Sequence, residues 1–372
     1  MRIDQPAEPD SSGARSDARI TLIGPMPPPI DGQSIVMSHM VSRLTLHFPN
    51  LRVSDTTERA SSRWRRAFVK LGRSAAAWGA VPRADVVYIA VKADHGMWLT
   101  TVTAGLARLT GKQIFLHHHS YTYIRERRKR MSALARIAGP TAQHIVLSQS
   151  MSRDLRAVMP EISRTLIIGN AALVDQTLLE LPLKSDADHL VLGHLSNLYL
   201  DKGIGEVVDL AIDLHAGGVP VRLIVGGPLV EPAARHHIER GTRHLGELFE
   251  YRGPLAGEMK RAFFEEITHF IFPSKYSHES VPLVLYEAMA AGVVCVSTRR
   301  GSIPEQLAES PGILADSKDT FVQDVLPVLR HTRASSATSY DARQAYLKAL
   351  AAANDDLARF VSLLGKQHGR SL

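Results

Sequence analysis

Apolar and polar positions along this chain alternate between a strand-like and a helix-like rhythm. Residues 19–24, Arg-Ile-Thr-Leu-Ile-Gly, form a short apolar run that ends on glycine and opens into the proline-rich stretch 25–32. That pattern predicts a strand running into a loop. From Gln33 to Leu46 the apolar positions Ile35, Met37, Met40, Val41 and Leu44 return near helical spacing, which completes a strand, loop and helix unit. The alternation continues with strands over 85–91, 113–116, 144–148 and 165–170 and a helix over 99–109. Apolar strands separated by helices predict a parallel sheet covered on both faces.

The rhythm fades over 175–188, which reads as a hinge, and restarts at 189–193. Further strands are expected over 221–225, 248–252, 269–273 and 293–297, with helices over 204–216 and 283–291. The fold class is therefore α/β, with two Rossmann-like, doubly wound halves. A chain of 372 residues suits two domains of about 100 to 200 residues each. The expected boundaries are a disordered polar tail over 1–18, a first domain over 19–175, a second over 189–345, and a C-terminal helix over 346–372 that could cross back to the first. Two such halves bring two sets of strand carboxyl ends to a shared cleft, where ligands bind in open α/β sheets.

Composition narrows the function classes. Hydrophobic residues make up 45% and charged residues 22%, an ordinary globular balance. Cys295 is the sole cysteine, so neither an intrachain disulfide nor a Cys-rich zinc site can form, and a reducing cytoplasm is expected. The first eighteen residues lack the apolar stretch of a secretory signal. No apolar run approaches the roughly 18 to 20 residues that cross a bilayer. Neither a GxGxxG loop nor a Walker lysine loop occurs, which leaves nicotinamide redox chemistry and P-loop hydrolysis without support.

The formal charge of +7 favours anionic partners: sugar nucleotides, phospholipid head groups or nucleic acid. Trp64, Phe68, Leu71, Ala75 and Trp78 recur at spacings of four and three among Arg63, Arg65, Arg66, Lys70 and Arg73, which describes a basic amphipathic helix. Arg125 and the run Arg127 to Arg130 form a second basic cluster. Both would attract an anionic membrane surface, although a stripe of this kind equally fits a helix packed against its own core. Aromatic residues are 6% of the chain and no nucleic-acid recognition motif occurs, so nucleic acid is not expected as a partner.

The densest chemistry lies between Pro273 and Glu305. A strand ends at Pro273 and Ser274, a loop carries Glu279, and a helix begins near Pro282, a residue suited to a first helical turn. Glu287 follows Glu279 by eight positions, while the amides of Val281, Leu283 and Val284 sit at the positive helix end, which can bind a diphosphate. Two carboxylates flanking an anion site suit a nucleotide sugar, since each could grip vicinal hydroxyls through both oxygens. Taken alone, two glutamates at this spacing equally fit solvated or helix-capping carboxylates.

The order Pro-Ser, Glu-x7-Glu, Glu-Ala-Met-Ala-x-Gly and Gly-x-Ile-Pro-Glu resembles retaining glycosyltransferase family 4, which has the GT-B fold of two Rossmann-like domains facing across a cleft. The resemblance implies an acceptor-binding first domain and a donor-binding second domain. It also implies that Glu279 contacts the donor sugar and Glu287 the ribose hydroxyls. An Arg-x4-Lys-Gly element of that family is matched by Asn197 to Gly203, with Lys202 facing the donor diphosphate and Asn197 standing where the family has arginine. Gly32, in the loop 29–33, resembles the family's glycine loop, whose backbone approaches the donor phosphates. The run His117, His118, His119 follows a strand where the family carries a cleft-facing histidine. Alternation puts His117 and His119 on one face and His118 on the other, with His119 the favoured cleft residue and His117 the second. A His-x-His metal pair is the alternative, but it lacks further ligands. Gly227 resembles a glycine turn near the nucleotide, and Arg252 is expected near the base.

Asp186-Ala187-Asp188 matches the metal-binding DxD of the other large glycosyltransferase fold, yet no strand aims it, so it reads as solvated linker and no metal is expected. The implied activity is transfer of a hexose from a nucleoside-diphosphate sugar to a glycan or lipid-linked glycan with retention of configuration. Glu279, His119 and Lys202 would be its catalytic residues, and the sugar nucleotide would be a co-substrate with no cofactor beside it. Cell-surface polysaccharide synthesis on the inner face of the membrane is the implied setting. The alternative is a nucleotide-sugar-binding subunit that has lost turnover.

Overall fold

Two six-stranded sheets, parallel throughout, carry the molecule. The structure is a computed structural model that describes residues 16–28, 32–57, 63–93, 96–317 and 319–366, with the backbone alone for 63–71 and 366. The expected tail lies almost wholly outside the described residues, as do Pro29, Ile30 and Asp31 of the proline-rich loop.

The first sheet holds β1 (Ile20–Gly24), β2 (Arg52–Asp55), β3 (Val86–Ala90), β4 (Gln113–His117), β5 (Gln143–Val146) and β6 (Thr165–Ile167), in the order β2-β1-β3-β4-β5-β6. Its helices are α1 (Gly32–Thr45), α2 (Arg63–Ala80), α3 (Met97–Leu109), α4 (Lys129–Ala138) and α5 (Gln149–Val158). The second sheet holds β7 (Leu190–Leu195), β8 (Val221–Gly226), β9 (Phe249–Tyr251), β10 (His269–Phe272), β11 (Val294–Thr298) and β12 (Ile313–Ala315), in the order β12-β11-β10-β7-β8-β9. Around it run α6 (Ile204–Ala216), α7 (Ala234–Leu245), α8 (Gly257–Glu266), α9 (Leu283–Ala290), α10 (Ile303–Gln306) and α11 (Phe321–Arg330), and the chain ends in α12 (Ser336–Lys366).

Every residue of β1, β3, β10 and β11 is buried, which is why these strands read as largely apolar runs. The edge strand β2, with two exposed and two half-buried residues, and the three-residue β12 lack that signal and were not expected from the sequence. In each sheet the chain builds outward on one side, then returns to build on the other. The reversals fall between β1 and β3 and between β7 and β10, and each opens a crevice at the strand carboxyl ends.

The halves are held together by polar bonds and by α12. Asn170 Nδ2 donates to the carbonyl of Val281 at 3.2 Å, and the Ser280 hydroxyl donates to the carbonyl of His119 at 3.0 Å. The hydroxyls of Ser148 and Ser302 lie 2.7 Å apart. Helix α12 starts at Ser336 rather than near 346; it seats Tyr346 in the second core and Leu357, Phe360 and Leu364 in the first. The Phe360 ring lies 5.2 Å from Phe115 and 6.1 Å from Tyr88.

The expected hinge is a packed strap. Leu178 and Leu181 are buried in the second core, and Lys184 Nζ donates to the carbonyls of Phe264 and Glu265 at 2.7 and 2.8 Å. A cation on the last carbonyls of α8 complements the helix dipole, and burial pushes the Lys184 ammonium down to about 8. Faded periodicity signalled an irregular backbone here, and did not signal exposure.

Candidate functional site

A cavity of about 690 Å³ lies where the two crevices meet. On its second-domain wall β7 runs out into Ser196 and Asn197, then a short turn delivers Lys202. Gly203, which follows, has φ +84°, and a Cβ there would stand 2.5 Å from Pro273 Cγ and 2.6 Å from its carbonyl oxygen. Glycine alone lets this turn lie against the end of β10. Lys202 thereby meets the loop after β10: its Nζ donates to Glu279 Oε2 at 2.6 Å, and the Ser274 hydroxyl donates to the same oxygen at 2.7 Å. The ammonium also sits 4.7 Å from the Tyr276 ring centre and 5.4 Å from that of Phe272, so aromatic faces share its charge. Glu279 is 8% exposed, a depth at which a carboxylate needs such a partner.

Helix α9 begins beside this pair. Its cap residue is Pro282, no side chain caps its N-terminus, and its first turn holds no acidic residue. First-turn amides have no acceptor within a helix, and the dipole makes that end positive. Val281, Leu283 and Val284 line the cavity at this end. One turn further on, Glu287 faces the same space and accepts from Lys260 Nζ at 2.7 Å through Oε1. Gly227, with φ +117°, closes another side; a Cβ there would stand 1.8 Å from the Ser196 carbonyl oxygen, so the chain can turn past β8 only as glycine. Gly32 also lines the cavity, but a Cβ there meets nothing within 4 Å, so packing makes no demand for glycine at that position.

The first-domain wall carries His119, whose ring centre lies 4.0 Å from that of His117. Burial pushes His119 down to about 3, which keeps the imidazole neutral near pH 7. Its Nε2 is buried and, among the described residues, has no hydrogen-bond partner. Beside it, Ser120 Oγ and His278 Nδ1 lie 3.1 Å apart across the domain boundary.

Two expected site residues are placed elsewhere. His117 is fully buried against the Tyr88 hydroxyl and does not line the cavity. Strand alternation fixed its face, while its depth followed from Tyr88 packing over it. Arg252 also stays off the cavity, because Glu250 accepts from its Nε at 2.8 Å and Glu266 from its Nη2 at 2.7 Å. His118, on the opposite face, stacks on His144, with Nε2 at 2.9 Å from His144 Nδ1.

Asp186 accepts the amide of Ser336 at 2.8 Å and Asp188 lies 3.7 Å from Arg333, so the Asp-Ala-Asp run ties down the start of α12 and neither carboxylate lines the cavity. Of the basic amphipathic stripe, the side chains of Trp64, Phe68 and Leu71 lie outside the described residues. Further along α2, Ala75 is exposed while Ser74 and Ala77 are buried, and Trp78 Nε1 donates to Thr103. The inward face of this last part is therefore offset from the stripe.

Residues 189–331 match the family model described as Glycosyl transferases group 1. Among solved structures, Anabaena HepE in complex with UDP superposes with a TM-score of 0.67 at 15% identity, over 92% of this chain and 99% of that one. Sucrose-phosphate synthase from Thermosynechococcus elongatus gives 0.66 at 16%, over 95% and 99%. A glycosyltransferase from Rickettsia africae gives 0.62 at 12%, over 95% and 100%.

The fold is GT-B.

No curated protein matches the chain in sequence. Within this GT-B frame, the residues that sequence reasoning missed are Lys260, Tyr276, His278, Ser120 and Asn170, all lining the cavity. None belongs to a spaced motif; domain docking and the packing of α8 bring them there. Asn170, at the end of an apolar run and before the strap, is the one that a search for polar residues at strand ends would have found.

Proposed function

We propose that this GT-B protein transfers a hexose from a nucleoside-diphosphate sugar to a hydroxyl of a glycan or lipid-linked glycan, with retention of configuration. The observation that carries the reading is the Lys202–Glu279 pair beside the uncapped start of α9, at the point where the second sheet reverses direction. An anion site flanked by carboxylates matches a diphosphate joined to two hydroxyl-bearing rings. HepE, a structural neighbour, binds UDP and UDP-glucose, and that supports the donor class.

In this reading the diphosphate lies against the amides of Val281, Leu283 and Val284, and Lys202 turns from Glu279 toward it. The sugar stands between Glu279 and the neutral ring of His119. As the bond from the anomeric carbon to the phosphate oxygen breaks, Lys202 and the helix amides take up the growing negative charge. The acceptor oxygen bonds to the anomeric carbon from the face the diphosphate leaves, and its proton passes to a departing phosphate oxygen. No protein nucleophile and no divalent ion is required by this route. Glu287 holds the ribose. The excess of basic residues in the first domain supports a reaction at the cytoplasmic face of an anionic membrane, and the proposed setting is the synthesis of cell-surface polysaccharide.

Asn197 in the cavity wall, where a second cation would be expected, favours one competing reading: a sugar-nucleotide-binding subunit without turnover. Thermal stabilisation by a panel of sugar nucleotides tests the donor class. A ligand at a hundred times its Kd adds about 2.7 kcal/mol of stability. The proposal expects one sugar nucleotide to stabilise the protein and then to be turned over with its anomeric configuration kept, as read by NMR of the product. Stabilisation with no turnover supports the binding subunit, and no stabilisation by any donor overturns both.

A further inference from the structure

Helices α3 and α4 pack into one core of the first domain, while α1 packs into the other. On α3, Met97, Ala104 and Ala107 fill that core, yet the outer side of the helix is apolar too. Trp98, Val102 and Leu109 fall at spacings of four and seven, so they form one stripe about 16 Å long. They are 51%, 44% and 88% exposed. Ile137 of α4, itself 41% exposed, joins the stripe where α4 packs on Gly105; a Cβ at Gly105 would stand 3.1 Å from its Cγ2. The charge around the stripe has a single sign, since neither α3 nor α4 contains an acidic residue. At one end Arg108 donates to the carbonyls of Arg136 and Ile137 at 3.0 and 3.2 Å, and its guanidinium stays exposed, as do Arg136 and Lys129. At the other end a hollow of about 300 Å³ is lined by Met97, Thr122, Tyr123 and the run Arg128 to Arg130. Ser120, two positions before Thr122, lies in the wall of the interdomain cavity.

We infer that the outer face of α3 and α4 docks on an anionic phospholipid bilayer, with Trp98, Val102, Leu109 and Ile137 entering the interface and the surrounding cations on head-group phosphates. This rests on the membrane setting proposed above and assigns it a surface. Single exposed apolar residues need no partner, but a continuous stripe does. A tryptophan at its end and basic side chains around it suit the boundary between head groups and acyl chains. A second copy of this chain fits poorly, because pairing two such faces would bring like charges together. The hollow at Arg128 then receives a head group, and the loop through Ser120 sets the cavity beside the membrane surface, where a lipid-linked acceptor is presented.

The test is flotation of the full chain with vesicles of phosphatidylcholine, alone or mixed with phosphatidylglycerol. The wild type should bind the mixed vesicles about tenfold or more tightly than phosphatidylcholine alone. Trp98→Ala together with Leu109→Ala, both at exposed positions, should weaken binding to the mixed vesicles by about tenfold or more. Lys129→Gln together with Arg136→Gln should remove most of the preference for the mixed vesicles. Leu46→Ala, at an apolar side chain 62% exposed beside α1, should bind as the wild type does. Wild-type binding by the Trp98 and Leu109 variant overturns the inference, as does equal binding of the wild type to both kinds of vesicle. An equally large loss in Leu46→Ala also overturns it, since adhesion would then have no preferred face. Association of the wild type with itself, abolished in the Trp98 and Leu109 variant, without vesicle binding would give the face to a second copy and overturn the inference. A wild type that binds neither vesicle removes the membrane setting and this inference with it, while stabilisation by sugar nucleotides tests the donor reading separately.

Discussion

Glu305 joins the two domains through the backbone of α5. Its carboxylate accepts the amides of Gln149 at 2.9 Å and Ser150 at 2.6 Å, the first residues of that helix. Glu305→Gln keeps the size, removes the charge and leaves one oxygen to serve two amides. A hydrogen bond to a charged group contributes about 1.5 to 3 kcal/mol net, and a negative charge at a helix N-terminus adds about 0.3 to 1 kcal/mol. Glu305 is exposed, so solvent screening reduces the sum, and about 1 kcal/mol is the expected loss. That is about a fivefold shift toward separated domains.

If the cavity binds its ligand only when both walls are in place, nucleotide affinity should fall by up to that factor, in proportion to the fraction of molecules in the docked form. Small-angle scattering reads domain separation and calorimetry reads affinity. Raising salt to about 1 M should weaken the wild type toward the variant, since the lost interaction is electrostatic. Unchanged scattering and unchanged affinity in Glu305→Gln would refute the reasoning.

Acid should destabilise the fold between about pH 6.5 and 4. Burial pushes His144, His194 and His269 down to about 4 from an ordinary 6.5, so below 6.5 the unfolded chain takes up protons that the folded chain does not. Each contributes up to about 2 kcal/mol of loss from pH 6.5 to 5, and denaturant titrations showing equal stability at pH 7 and 5 would contradict this. Phe360→Ala should cost about 3 to 5 kcal/mol, because its ring fills the first core between Phe115 and Tyr88, and a change under 1 kcal/mol would show that α12 does not anchor that core. Replacing Arg127 and Lys129 with glutamate should weaken co-sedimentation with anionic vesicles by about 1 kcal/mol per charge, and binding that ignores these changes would remove the membrane proposal.

The sequence makes the parallel core strands legible because burial on both faces leaves mostly apolar side chains to read. Edge strands such as β2 and β12, and the strongly polar helix α7, carry weaker patterns and are set by what they pack against. At the site, Glu279, Glu287, Lys202 and Gly227 are legible because they lie at fixed spacings from strand ends, and the backbone demands of Gly203 and Gly227 fix those spacings. Lys260 was not legible, since it comes from α8 and meets Glu287 of α9 only once the domain has folded. His117 and Arg252 show the complementary limit. Period and position gave their neighbourhood, but buried neighbours decided where the side chains end.

The central claim is that Lys202 and the start of α9 stabilise a departing diphosphate. Its most direct test is the rate of nucleoside-diphosphate release from the best-stabilising sugar nucleotide, compared between wild type and Lys202→Met. The account predicts turnover by the wild type and a loss of about 100-fold or more in the variant, both assayed well below the variant's melting temperature, which falls because the buried Glu279 carboxylate loses its partner, and with far-ultraviolet circular dichroism showing the variant folded. Equal rates in the two proteins would contradict it.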